Sequence, residues 1–158
     1  AQSAPSALIT YQENLLILAE AGFRANGFSV GLSRLNDFRA FMATGGYLTN
    51  VNNSDILYDA YDATDFASAG IENLDGISTD NALLREILQE RYITLFGQIE
   101  VFNDTRRTEN ESIVRVPITP NNGSVLPQRF LYPQSEIDRN SNTPNPIPNF
   151  FDKTPINQ

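Results

Sequence analysis

A mainly α-helical fold is predicted by three features of this sequence. Apolar residues recur at spacings of three and four through residues 10–43 and again through 56–107, which places them on one face of each helix. Start and stop signals bracket these stretches. From residue 108 to 158 that period is lost and the chain becomes rich in proline and asparagine. The expected architecture is therefore one domain, 1–158: a helical hairpin (10–43), further helices (56–107), then irregular loops and an extended C-terminal strap (108–158).

The first helix opens with a capping box, Thr10-x-x-Glu13, ahead of Leu15, Leu16, Leu18, Ala19 and Phe23. Asn26-Gly27 is its expected stop, because both residues tolerate the left-handed backbone. Ser29 is the expected cap of a second helix carrying Val30, Leu32, Leu35, Phe38 and Met42, closed by Gly45-Gly46. The pair spans about 34 residues, the length of one tetratricopeptide (TPR) unit. Ala19 and Gly31 fall where such a unit wants small residues, and Leu18 and Leu35 where it wants large ones. An ordinary helical hairpin shares this spacing, so both readings stand at this point. A single repeat cannot bury its apolar face alone. The hairpin must therefore pack on the later helices or on further repeats of a longer protein, and the second is the reading taken here.

Residues 45–55 read as a turn-rich loop, followed by a third helix from Ile56 to Phe66. After another loop, Ser78, Thr79 or Asp80 caps the main helix. Its apolar stripe is Leu84, Ile87, Leu88, Leu95 and Phe96, with Arg91 and Tyr92 at the margin. Gly97 breaks the helix, and Ile99, Val101 and Phe102 continue the stripe on a short helix to Arg107. Val114, Val116 and Ile118 alternate before the Asn121-Asn122-Gly123 turn signal, which suggests a small hairpin with Pro117 confining the first strand to an edge. The tail SNTPNPIPNFFDKTPINQ is expected to be extended, anchored by Phe150 and Phe151.

Composition removes several chemistries. The net charge is −8 and the pI about 4.4, so nucleic acid is not an expected partner. There is no cysteine and no histidine, which removes disulfides, thiolate nucleophiles, the usual zinc ligands and the usual serine-activating base. No cofactor or metal is expected. No apolar run approaches the roughly 18 residues a membrane span requires. Glu86 and Glu90 sit four apart, but carboxylates on one helix face cannot flank a glycosidic bond, and partners such as Arg91 or Arg106 are expected for them. A small helical hydrolase is set aside on these grounds. Asp55, Asp59, Asp62 and Asp65 read as a solvated acidic helix face, since calcium wants a loop that wraps it. Tyr47, Tyr58, Tyr61 and Phe66 cluster beside Asn50, Asn52 and Asn53. Sugar recognition uses an aromatic face for the C–H side of a ring and amides for its hydroxyls. Tyr58, Tyr61 and Phe66 read first as core contacts of the third helix. Tyr47, Asn50, Asn53 and Tyr61 are the candidate ligand-binding residues.

Two blocks carry a family resemblance: LLREILQERYITLFGQIEVFNDTRR (Leu83 to Arg107) and LPQRFLYPQSEIDRN (Leu126 to Asn140). With the ITYQENLLILAEA opening and the DFASAGIENLDG loop, in this order and spacing, the chain resembles the SusD/RagB family of outer-membrane nutrient-binding lipoproteins. The resemblance covers roughly 10–43 and 56–140. It implies a non-catalytic, cell-surface receptor that delivers an oligo- or polysaccharide to a SusC-like TonB-dependent transporter. It also implies that Arg106, Arg107, Arg129, Tyr132, Pro133, Glu136 and Asn140 are structural, the arginines clamping the strap and helices. This chain would be the C-terminal portion of such a protein. The lipid-bearing N-terminus, its only membrane contact, and much of the binding face would lie outside it. The alternative is a TPR-type interaction adaptor without a sugar ligand.

Overall fold

The computed structural model describes residues 8–45, 58–111, 114–116, 118–121, 123 and 125–155. Five helices pack together among them, and no strand is present among these residues: α1 (Tyr11–Asn26), α2 (Phe28–Ala43), α3 (Thr79–Thr94), α4 (Ile99–Thr108) and α5 (Gln134–Arg139).

Helix α1 starts where the capping box predicts, with the Thr10 hydroxyl oxygen accepting from the Glu13 N–H at 3.1 Å. Its stop is Gly27, whose φ of +82° is a conformation that side-chain-bearing residues seldom adopt. Gly27 also caps α2, so Ser29 lies inside the second helix and is not its cap. With one residue between them, α1 and α2 fold back antiparallel: Tyr11 at the start of α1 meets Phe41 near the end of α2 edge to face, with ring centroids 4.8 Å apart. Close approach beside the turn requires Gly31. A Cβ there would lie 2.7 Å from Cβ of Phe23.

The core forms between this hairpin and α3. Leu15, Leu16 and Ala19 of α1, Leu35 and Phe38 of α2, Ala82, Leu83 and Ile87 of α3, and Phe66 make one buried cluster. Leu18, by contrast, is 42% exposed. A second cluster joins Leu84 and Leu88 to Val114 and Val116. These valines alternate inward across α3 as their sequence pattern predicts, without pairing into a sheet.

The expected helix over 56–66 does not form in its described part. Residues 58–66 run as irregular chain and turns, held from outside by α2. The Asn36 amide clasps the Tyr61 backbone, donating to its carbonyl and accepting from its N–H, each at 2.9 Å. A residue whose backbone groups are taken by a side chain has no need of a helical ladder. Asp62 and Asp65 therefore shape a turn and not a helix face: the Asp62 N–H donates to the Asp65 carboxylate. Further along, buried Asn73 donates to the carbonyls of Phe66 and Ile77 and so closes the 66–77 loop.

Helix α3 is capped by the Ser78 hydroxyl and ends at Thr94. Because it ends there, Phe96 leaves the stripe and is 75% exposed. Helix α4 also departs from expectation. Its buried positions are Asp104, Thr105 and Thr108, while Ile99 is exposed and Phe102 packs sideways on Phe130. What holds α4 inward is charge. Arg91 of α3 grips Asp104 through Nε and Nη2 at 2.9 and 3.2 Å, with 7% and 6% of the two side chains exposed. Arg107 bonds both oxygens of Glu20 on α1 at 2.6 Å and reaches Asp104 at 2.8 Å. Burial pushes the Glu20 carboxyl up, but Arg107 and Arg24 outweigh it and hold the group below its usual range.

The remaining signature residues lie on the outer side. Arg106 covers the Phe102 ring and donates to Thr154. Arg129 donates to the carbonyls of Asp152 and Lys153, and the Gln128 N–H to that of Phe150. Half-buried Tyr132 and exposed Pro133 lead into α5, where the Pro133 carbonyl accepts from Glu136 and Ile137. Asn140 closes that helix on Glu136, through its side-chain amide at 2.5 Å and its backbone N–H at 2.9 Å.

Two outcomes follow for stability. Asp104→Ala strands the buried Arg91 guanidinium and is expected to cost about 3–5 kcal/mol in urea unfolding. Gly31→Ala drives a methyl into Phe23 and is expected to cost about 1–3 kcal/mol in the same measurement.

Candidate functional site

The seventh, tenth, eleventh and fourteenth positions after Thr79 on α3 are Glu86, Gln89, Glu90 and Ile93, and their three- and four-residue spacing puts them on one face. That face, with Tyr92, floors an open cleft of about 700 Å³. Arg39 of α2 and Tyr58 of the incoming loop form the opposite wall.

Arg39 organises the cleft. Its Nε donates to the Asp59 carbonyl at 2.6 Å and its Nη1 to Glu90 at 3.1 Å. The guanidinium carbon lies 3.7 Å from the centroid of the Tyr61 ring and 5.1 Å from that of Tyr58, so both rings stabilise the cation through their π faces. Behind it, the Tyr61 hydroxyl contacts Glu72 at 2.7 Å and Glu86 at 2.9 Å. Burial, then the charge of Glu72, push the Glu86 carboxyl up to about 7. Burial likewise raises Glu90, with Arg39 opposing. Tyr61 is raised as well, by burial first and the two carboxylates after it.

Chemically, the cleft offers two tyrosine rings beside a guanidinium, an amide and two carboxyl groups. Such a set suits a hydroxyl-bearing ring: C–H faces against the aromatics, hydroxyls against the planar polar groups. The two cleft carboxyls lie on one helix face and do not oppose each other across it. Among the described residues no group of His, Cys, Asp and Glu side chains converges to hold a metal ion. No described helix is long and apolar enough to cross a membrane.

Of the residues singled out by sequence, Tyr47, Asn50 and Asn53 lie outside the described residues, as does Asp55. Tyr61 stands in the wall behind the cleft, its hydroxyl bonded to Glu72 and Glu86 and its ring packed on Arg39 and on Phe66 at 5.2 Å. The arginine partner expected for Glu86 and Glu90 is neither Arg91 nor Arg106. Arg91 is committed to Asp104 and Arg106 to Thr154, and it is Arg39 that pairs with Glu90. Arg39, Glu72 and Gln89 were not flagged by sequence. Helical spacing could have placed Gln89 beside Glu86, but no local signal ties Arg39 to a helix 51 positions away.

Comparison with known proteins assigns no family: no protein-family model, no curated protein and no solved structure matches the chain.

Replacing Arg39 with Gln removes the cation from beside both cleft carboxyls. Glu86 and Glu90 are expected to titrate at higher pH than in the parent, read from the side-chain carboxyl carbons by NMR.

Proposed function

We propose that this chain is a portion of a non-catalytic, cell-surface receptor of the SusD/RagB kind that binds an oligo- or polysaccharide. It would act at the outer membrane and pass its ligand to a SusC-like TonB-dependent transporter. The observation that carries the reading is the coincidence of two things: the order of the four sequence blocks, and a cleft whose tyrosines and planar polar side chains have the chemistry of sugar recognition. The antiparallel α1–α2 pair, with Gly31 at its close approach to Phe23 and Ala19 buried, supports a TPR-like unit. The Arg129 bonds to the tail support a strap drawn across α4. The cleft carboxyls make a neutral or basic sugar a better ligand than a uronate.

A second reading, an interaction adaptor, is favoured by a groove of about 650 Å³ along α2, lined by Phe28, Leu32, Ala40, Ala60 and Ala63 among others. It predicts peptide binding there and indifference to sugars.

Affinity-gel electrophoresis on a panel of soluble polysaccharides separates the two. Retardation of this chain by a neutral glycan, lowered roughly 2- to 12-fold in apparent affinity by Tyr92→Ala, is the expected result. Retardation of only the longer parent frame assigns this portion a scaffold role. Indifference of both to every glycan favours the adaptor.

A further inference from the structure

The Tyr61 hydroxyl makes two short contacts with carboxyl oxygens, 2.7 Å to Glu72 and 2.9 Å to Glu86. A phenol has one proton to donate, and an ionised carboxylate has none. Only one of the contacts can therefore be Tyr61 donating. The other sets two electron-rich oxygens within hydrogen-bond distance, which is attractive only with a second proton between them. Such a proton would come from a carboxyl group: one Glu would donate to the phenol oxygen while the phenol donates to the other Glu.

We propose that Glu72, Tyr61 and Glu86 form a proton-sharing latch that ties the 58–77 loop to α3 while the carboxyl pair holds one proton, and releases as that proton is lost. The surroundings leave the pair in need of it. From α2 the facing charge is Arg39, which bonds Glu90 directly. From α3 come Glu90, one turn along, and Arg85, whose guanidinium is given to Asp75 and to the Glu72 carbonyl. From the loop come Tyr61, Glu72 and Asp75. Among the described residues neither Glu72 nor Glu86 forms a salt bridge, and Glu86 is 8% exposed. Glu86, the more deeply buried of the two, is the group that needs the proton.

The consequence for stability has a definite sign. A carboxyl raised from 4.5 to about 7 keeps its proton in the folded protein where the unfolded chain has released it. Folding stability therefore falls as pH rises through that window and levels off above it. Opening the latch frees one wall of the cleft without unfolding the loop, which keeps the Asn36 clasp and the Arg85–Asp75 pair.

The test is a carboxyl-carbon NMR titration of the unliganded chain from about pH 4 to 9, with thermal unfolding alongside. In the parent, Glu86 is expected to titrate near 7. Glu72→Gln brings its own amide protons, so the shared one is no longer needed and the Glu86 midpoint falls by roughly one unit or more. Glu86→Gln fixes the neutral form. The parent loses on the order of 5 °C in Tm between about pH 5 and 8, and this variant does not. An ordinary midpoint for Glu86, or one unmoved by Glu72→Gln, would overturn the latch. If Glu86→Gln does not fold, the Glu72→Gln titration decides alone. No glycan is present, so failure here is separate from failure of the receptor reading.

Discussion

The buried Arg91–Asp104 pair is the contact through which three helices constrain one another. Taking both charges out of water is expensive, and their attraction offsets that cost only when the geometry is good and the remaining bonds are made. Here the guanidinium fork meets the carboxylate through two nitrogens. Arg107 returns from the next turn to the same carboxylate and extends the network to Glu20 on α1. One nitrogen, Nη1 of Arg91, has no hydrogen-bond partner among the described residues, a cost of about 1–3 kcal/mol the rest of the network must cover. Hydrophobic burial welds α1, α2 and α3, whereas α4 is positioned by these charges. That explains how a helix with an exposed Ile99 and a half-buried Phe102 stays fixed.

The same division sets up the cleft. Apolar contacts between α2 and α3 fix Arg39 opposite Glu90, and the Asn36 clasp brings Tyr58 and Tyr61 to the guanidinium. The cleft is thus made by a loop without helical structure of its own, held by side chains of α2. Its carboxyl groups are crowded and partly dried by that packing, which is why their protons are held more tightly than in water.

Local chemistry was legible wherever one turn of chain decided the outcome. The Thr10 cap, a cap for α3 within 78–80, the stop at Gly27, an interruption between α3 and α4 and the small Gly31 were all readable, because each acts within a few residues or through a backbone preference. Where a distant residue competes, the reading failed. Residues 58–66 have helical periodicity, yet Asn36 takes the backbone bonds of Tyr61 and Phe66 is pulled into the core shared by α1, α2 and α3. Phe96 has stripe spacing, yet the helix ends two residues before it.

The sequence by itself determined the helical class, the positions of α1, α2, α3 and α4, and the order of the blocks behind the receptor reading. Periodicity and capping are local properties, and locally they were sufficient. Only the tertiary structure decided which charges pair, that Arg39 rather than a neighbour on the same helix serves Glu90, and that the Tyr61 hydroxyl lies between two carboxyl groups. Those facts depend on which helix faces meet after folding, and no spacing along a chain encodes the distance between residues brought together from 11, 25 or 51 positions apart.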